Sequence, residues 1–376
     1  MDVFLPILGI GIILFVLWEA FETMILPRQV TRRWRLTRLF YRLTWKPYAL
    51  FVRPCPKKSR ERLLSFYGPI SFILLLVVWG FLLMLGYALL HMVDGSIGQG
   101  ESGWGQLGMA LYFSGSTLFT LGLGDIAPHT PLSRLTTVLE AYTGLGFLAI
   151  IVGYFPVLYQ AFSRREAQIT LLDARAGSPP SATELLRRMV GGGDYAEIRG
   201  FLKDWERWCA ELLESHISYP VLCYFRSQHD NESWLSSLAT ILDTSALVLV
   251  GIDDTCTRQA QLTFAIARHA VVDLSQILGR SPDFARPVRL TVEDLARLRE
   301  VLAQAGVELK RGQDAEQRLA ELRSMYEPYL HALSDLLLMP LPQWIRDGRP
   351  DNWQTSSWGR ITGADRNQPS QMEQHL

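Results

Sequence analysis

Three long apolar segments constrain the fold of this chain more strongly than any other feature. They cover roughly residues 4–26, 66–92 and 132–162, and each is near or above the ~20 residues that a helix needs to cross a bilayer. The start of the chain lacks the positive charges of a secretory signal, and no small-residue cleavage site follows, so we expect the first segment to be retained. The sequence therefore predicts an all-α membrane protein with three transmembrane helices per subunit.

A basic stretch separates the first two apolar segments and determines the expected orientation. Residues 28–62 are rich in Lys and Arg and contain one acid, Glu61. Under the positive-inside rule this stretch faces the cytoplasm. The N-terminus then lies outside, residues 94–131 return to the outside, and the chain from Ser163 onward is cytoplasmic. We therefore predict a multi-pass protein of the plasma membrane, the inner membrane of the cell.

The basic stretch also predicts an amphipathic helix over residues 29–48. Its apolar side chains recur at helical spacing, while its arginines lie elsewhere on the helical wheel. Such a helix can lie in the inner headgroup layer and attract anionic lipid, so membrane lipids are expected partners of residues 28–62. The alternative is that these charges only set the topology.

Two acidic residues, Glu19 and Glu22, lie on one face of the first apolar segment. Charges at membrane depth are costly and often functional. Because both residues lie near the predicted cytoplasmic end, pairing with Arg28 or Arg32, or reaching the interface, is the alternative explanation.

A short glycine-spaced motif follows a segment that is too short to cross the membrane. Residues 104–119 are also too apolar for an exposed loop, so they predict a re-entrant helix packed inside protein. The motif Thr120-Leu121-Gly122-Leu123-Gly124-Asp125 comes next. Two glycines spaced by one residue allow successive carbonyl oxygens to point towards one axis. Rings of such carbonyls can replace the water around a dehydrated cation, and the negative end of the preceding helix dipole would point at it.

Residues 110–125 resemble the pore helix and selectivity filter of potassium channels, and the similarity to the helix–pore loop–helix unit of that family covers about residues 66–162. The family filter usually reads Thr-Val-Gly-Tyr-Gly-Asp, so Leu121 and Leu123 are the departures. The resemblance implies a passive channel whose filter binds permeant K⁺, with no other cofactor. The implied ion-binding residues are Thr120, Leu121, Gly122, Leu123 and Gly124. Because one pore loop cannot close a filter, the resemblance also implies a homotetramer, with no nucleic-acid partner.

The departure at Leu123 changes how the filter is supported. In the family, the filter Tyr hydroxyl bonds an aromatic donor on the pore helix, and the matching residue here is Phe113, which has no donor. We expect Leu123 and Phe113 to pack as an apolar pair, and Asp125 to accept a hydrogen bond from Tyr112. Because coordination uses backbone oxygens, cation binding survives this change. Selectivity for K⁺ and weak cation selectivity both remain open.

The third apolar segment contains residues suited to gating. Gly144 follows Gly124 at the distance of the inner-helix gating glycine in many potassium channels, although glycine in membrane helices also serves close packing. We expect Pro156 to bend the helix near the inner mouth, where Val152 and Phe155 would form a hydrophobic constriction.

The remainder of the chain predicts a cytoplasmic helical domain. Residues 177–180 predict a linker, Asp314–Leu338 predicts a final helix kinked at Pro328, and the tail after residue 346 predicts disorder. We expect this domain to regulate or assemble the channel, through a ligand that the sequence does not name. The predicted domains are residues 1–27 (extra transmembrane helix), 28–62 (basic linker), 63–163 (pore domain, with outer helix 66–92, pore helix 104–119, filter 120–125 and inner helix 132–162), 164–346 (helical regulatory or assembly domain) and 347–376 (tail).

A hypothesis of a different class is a membrane-bound sensor or metal-dependent phosphohydrolase with a vestigial pore. It rests on His216, the pair His229-Asp230, and Asp273, although His269 and Asp273 are also spaced to pair on one helix. The four cysteines have no C-x-x-C spacing, so they predict neither a zinc site nor a redox site. We therefore predict that the protein is not an enzyme.

Overall fold

The computed structural model describes residues 4–26, 35–93, 97, 104–190, 195–229, 231–252 and 254–345. All regular secondary structure in these ranges is helical, which confirms the predicted all-α class. The chain forms two compact units. The first contains the residues up to Phe162 together with Ser215–Phe225, and the second contains Ser163–Glu214 and the residues from Arg226 onward.

The first unit contains the three predicted apolar helices and the two shorter ones. Its helices are α1 (Phe4–Ala20, continued by a π-helical turn, Phe21–Ile25), α2 (Leu36–Val52), α3 (Lys57–His91), α4 (Trp104–Leu118) and the first part of α5 (Pro131–Ala176), with a 3-10 turn at Pro220–Tyr224. Helix α3 begins before its predicted apolar segment and α5 ends after its own, since polar residues at these ends are also helical. Pro47 lies inside α2 without ending it.

Close helix packing in this unit depends on glycine. Helix α1 packs against α3, and a Cβ added at Gly9 would lie 2.6 Å from the carbonyl oxygen of Gly86. A Cβ added at Gly86 would lie 2.7 Å from Ile13 Cγ1. Small residues at such crossings let the two backbones approach within contact distance, as is common between helices in membranes.

The second unit is built around one buried helix. Its helices are the end of α5, α6 (Ala182–Met189), most of α7 (Tyr195–Ser218), α8 (Trp234–Gly251), α9 (Asp254–Ile277), α10 (Val292–Gln304), α11 (Gln313–Ser324) and α12 (Glu327–Leu337). Four helices of the described chain are long and apolar enough to cross a membrane, and α8 is the fourth. Because α8 packs against α6, α9, α11 and α12 and is buried along nearly its whole length, its apolar character is explained by the core of this unit.

The prediction of a single kinked helix over Asp314–Leu338 is wrong. Helix α11 ends at Ser324, and α12 begins at Glu327 with Pro328 in its first turn. A proline is well tolerated there, because the first N–H groups of a helix have no acceptor within it. Pro328 therefore starts a helix instead of bending one. The predicted disordered tail, residues 347–376, lies outside the described residues.

Buried charges hold the second unit together. Asp243 of α8 accepts hydrogen bonds from Arg289 at 2.6 and 3.0 Å and from the Tyr326 hydroxyl at 2.7 Å. Arg323 donates to both oxygens of Glu327 at 3.1 and 3.2 Å. All five side chains are buried or nearly so, and each charge in the group has an opposite charge beside it, which offsets the cost of removing it from water.

Candidate functional site

The glycine-spaced motif has an unusual backbone. The φ angles are positive at Thr120 (59°), Gly122 (60°) and Gly124 (78°), whereas Leu121 and Leu123 between them have ordinary negative φ. This alternation turns successive peptide groups so that their carbonyls share one side, in contrast to an extended strand, where they alternate. Glycine adopts positive φ without cost, but a β-branched threonine does so only under strain of about 1–3 kcal/mol. Strain of this kind concentrates at functional positions.

Hydrogen bonds to the C-terminal end of α4 show which side of the motif carries its backbone N–H groups. The N–H of Thr120 donates to Thr117 O (3.0 Å), and those of Leu121 and Gly122 donate to Ser116 O (2.8 and 3.2 Å). The N–H of Leu123 reaches the Ser116 hydroxyl at 3.5 Å. Among the described residues, no carbonyl from 120 to 124 accepts a hydrogen bond. The N–H groups therefore face α4, and the carbonyls are left for another ligand.

The motif is uncovered in the single chain. The side chain of Leu123 is 61% exposed, and a Cβ added at Gly122 or Gly124 would meet no atom within 4 Å. A strained segment with unpaired carbonyls needs partners on its open side, because unmatched polar backbone is costly away from water. One chain does not supply them.

The expected supports of the motif are partly present. The Tyr112 hydroxyl donates to Asp125 Oδ2 at 2.8 Å, as expected. Phe113 is buried, but its ring packs edge-on against His91 with centroids 4.9 Å apart, whereas Leu123 is largely exposed. Within one chain the ring of Phe113 is therefore directed towards α3, and the packing of Leu123 on Phe113 stays a prediction.

The predicted gating residues all lie on α5. A Cβ added at Gly144 would lie 2.9 Å from the carbonyl carbon of Leu118, and closer still to its oxygen, so this glycine permits close contact between α5 and the end of α4. Pro156 lies within α5 without ending it. Val152 and Phe155 belong to an exposed apolar stripe along one face of the helix. The members of this stripe are Leu145, Leu148, Val152, Phe155 and Tyr159.

The segment Ser215–Phe225 packs into the first unit through aromatic rings. Tyr224 stacks on Tyr41 of α2 (centroids 5.2 Å apart, interplanar angle 6°) and lies 5.1 and 5.5 Å from the rings of Trp45 and Tyr67. The ring of Phe225 approaches Gly68 so closely that an added Cβ would lie 2.6 Å from it. The sequence did not indicate this contact, because aromatic residues after a soluble helix do not show which surface they cover.

The two acids of α1 are bound to the beginning of α2. Glu19 is fully buried and accepts hydrogen bonds from the N–H and the hydroxyl of Thr37, both at 3.2 Å. Glu22 accepts from Trp18 Nε1 at 2.7 Å and lies 3.7 Å from Arg35 Nε. Glu19 thus caps the N-terminus of α2 from a neighbouring helix, which favours a structural role. The partners expected from the sequence, Arg28 and Arg32, lie outside the described residues.

Those residues of the phosphohydrolase hypothesis that the structure describes do not form a metal site. His216 is buried with Nδ1 3.1 Å from the Ser215 hydroxyl, and His269 pairs with Asp273 at 3.0 Å. In the part of the chain that the structure describes, no group of three or more His, Cys, Asp or Glu side chains could hold a metal ion. Asp230 lies outside the described residues.

One acid of the second unit, Glu232, has a raised pKa. Burial, together with the nearby carboxylates of Asp173 and Glu166, raises the pKa of Glu232 to about 8. Glu166 itself accepts hydrogen bonds from Ser227 Oγ and the N–H of Gln228, at 3.2 and 3.3 Å. The end of α5 is therefore linked to the loop that precedes α8.

Comparison with known proteins identifies the central part of the chain. Residues 72–160 match a family model described as "Ion channel". This match confirms the predicted resemblance to an ion-channel family for residues 72–160, which lie within the predicted range 66–162.

The chain is also similar to an "Uncharacterized membrane protein YdjJ" of Bacillus subtilis (strain 168). The two are 28% identical over 209 residues, which is 53% of this chain and 59% of the relative. The chain thus spans less than two thirds of that relative's length. No solved structure matches. The apolar helices and this similarity make the chain a membrane protein.

Proposed function

We propose that four copies of this chain form a passive K⁺ channel of the inner membrane, with the N-terminus outside and the C-terminus in the cytoplasm. One observation carries the proposal: φ alternates in sign through residues 120–124 while the N–H groups bond to α4. This supports a row of carbonyls on the open side, where four copies around an axis would form successive rings that replace the hydration shell of a cation.

The exposed surfaces of the first unit support the same assembly. The uncovered motif and the apolar stripe of α5 would both be buried if the α5 helices of four subunits surround a common axis. Leu148, Val152 and Phe155 would then line the inner part of the path, where a hydrophobic constriction can close it by excluding water. Helix α5 also continues without a break to Ala176 in the second unit, so a ligand of that unit could bias the pore.

Helix α2 is a second contact with the membrane in this proposal. Its exposed surface carries both apolar and cationic side chains and contains no acid. These residues are Arg38, Leu39, Arg42, Leu43, Lys46, Leu50 and Phe51. A helix of this kind fits the inner headgroup layer, where anionic lipid would neutralise the charges. Flux should then be higher in vesicles containing phosphatidylglycerol than in pure phosphatidylcholine, and Arg38→Gln with Arg42→Gln should remove the difference.

Ion flux in reconstituted vesicles tests the main proposal. The wild-type protein should conduct K⁺, and Gly122→Ala should reduce flux at least tenfold, because a Cβ disfavours φ of 60° and would face the ion path. Gly108→Ala is the matched control: Gly108 lies on α4, has no positive φ and has open space for a Cβ, so its flux should be unchanged. Equal flux in wild type and Gly122→Ala would contradict the proposed pore.

The permeability ratio of K⁺ to Na⁺ distinguishes a K⁺ channel from a weakly selective cation channel. Leu123 favours the second candidate, because the filter then lacks the aromatic hydroxyl that the potassium-channel family places there. Reversal potentials in mixed K⁺ and Na⁺ separate the two. A permeability ratio near one would replace the K⁺ assignment by the weakly selective one.

A further inference from the structure

Three buried polar side chains meet behind the pore helix, each from a different helix of the first unit. His91 ends α3, Ser114 lies in the middle of α4, and Glu140 lies in the outer half of α5. His91 Nε2 and Glu140 Oε2 are 2.9 Å apart. The Ser114 hydroxyl lies within hydrogen-bond distance of Glu140 Oε1 and also of the carbonyl oxygen of Met84 in α3, the latter at 2.8 Å. The exposed fractions are 1%, 0% and 0%. We name these residues the carboxylate cluster.

The carboxylate cluster is fully paired. Each oxygen of Glu140 has one partner, and the second ring nitrogen of His91 lies 3.5 Å from the hydroxyl of the buried Ser133. A carboxylate without water is retained only where its oxygens are hydrogen-bonded, since an uncompensated buried charge is costly. The cluster therefore connects α3, α4 and α5, and its hydrogen bonds are kept only while these helices stay in register.

The cluster is close to the backbone of the proposed filter. Ser114 is two residues before Ser116, whose carbonyl and hydroxyl accept the N–H groups of Leu121, Gly122 and Leu123. A shift of Ser114 would move these acceptors and, with them, the carbonyls that face the opposite way. Phe113, next to Ser114, packs against the ring of His91 and reinforces the same position of α4.

We propose that Glu140 is a positioning residue for ion selectivity. Its carboxylate holds α4 in the place that sets the spacing of the filter carbonyls. This inference rests on the proposed function, because it concerns how the same filter is held. Glu140 touches no ion and acts through Ser114.

Permeability ratios of K⁺ to Na⁺ in reconstituted vesicles test this role. Glu140→Ala should lower the ratio at least tenfold. Glu140→Gln should stay within threefold of wild type, because an amide can accept from Ser114 and donate to a neutral His91. Ser114→Ala, which keeps the His91–Glu140 pair, should also lower the ratio. It tests the role if Glu140→Ala does not assemble.

Thr143→Val is the matched control. The Thr143 hydroxyl lies 2.7 Å from the Tyr87 hydroxyl, so this variant loses a polar contact between α5 and α3 without touching α4. Its ratio should equal that of wild type. Two results would overturn the positioning role without refuting the channel. One is a permeability ratio in Ser114→Ala equal to that of wild type. The other is a loss of the ratio in Thr143→Val as large as that in Ser114→Ala. Absence of any wild-type flux would instead refute the proposed function.

Discussion

Gly144→Ala offers a sharp test of how α5 packs on the pore helix. An added Cβ would lie 2.9 Å from the carbonyl carbon of Leu118, whereas ordinary van der Waals contact begins near 3.4 Å. The two backbones must therefore separate by at least about 0.5 Å, because neither contact atom belongs to a flexible side chain. Overpacking of this kind costs about 1–3 kcal/mol per subunit.

The expected result is a lower melting temperature. At about 2–4 °C per kcal/mol, Gly144→Ala should melt roughly 2–12 °C below wild type, as followed by tryptophan fluorescence in detergent. Gly146→Ala is the control on the same helix, since a Cβ there meets no atom within 4 Å, and it should melt within about 1 °C of wild type or slightly above, as alanine favours helix more than glycine does.

Two outcomes would separate packing from hinge function. If Gly144→Ala melts like Gly146→Ala, the packing argument is refuted. If it melts normally but changes the time that the channel stays open, Gly144 acts as a hinge, which is the alternative that the sequence left open.

Three further predictions concern the second unit. Asp243→Asn should destabilise the protein by about 3–5 kcal/mol, because it removes the negative charge beside buried Arg289; the exposed Glu321→Gln should change stability by less than about 1 kcal/mol in the same unfolding experiment. Since burial and acidic neighbours raise the pKa of Glu232 from 4.5 to about 8, the folded chain binds this proton more tightly, and melting temperature should fall as pH rises from about 5 to about 8. Glu232→Gln should flatten that decline, and an unchanged pH profile would contradict it.

The parts of the fold that could be predicted from the sequence are those with local causes. Apolar length predicts α1, α3 and α5, and α4 ends one residue before the predicted boundary because the following residues adopt the turn that the glycines allow. Thr291 is a local feature of the same kind: its hydroxyl accepts from the N–H of Asp294 and caps α10, as threonine commonly does at a helix start. The resemblance to potassium channels, and not a local pattern, led to the expectation that Tyr112 donates to Asp125.

The features that the sequence could not indicate are those that depend on contacts between residues far apart in the chain. Glu140 and His91 are 49 positions apart and become a pair only when α3 and α5 are packed. One signal was available: Glu140 is an acid within an apolar segment, and the rule that singled out Glu19 and Glu22 applies to it equally. The break between α11 and α12 also had a signal, Pro328, which was interpreted as a kink although proline is favoured in the first turn of a helix.

The aromatic contact of Tyr224 and Phe225 limits how this protein can be divided. The chain passes between its two units three times, at residues 162–163, 214–215 and 225–226. A fragment that stops at residue 163 would expose the faces of Tyr41 and Tyr67 that Tyr224 covers, and the complementary fragment would carry Tyr224 and Phe225 without their partners. Division at residue 163 should therefore expose apolar surface on both fragments and favour aggregation. A pore fragment extended through residue 225 would keep the aromatic contact but would separate residues 163–214 from the rest of the second unit.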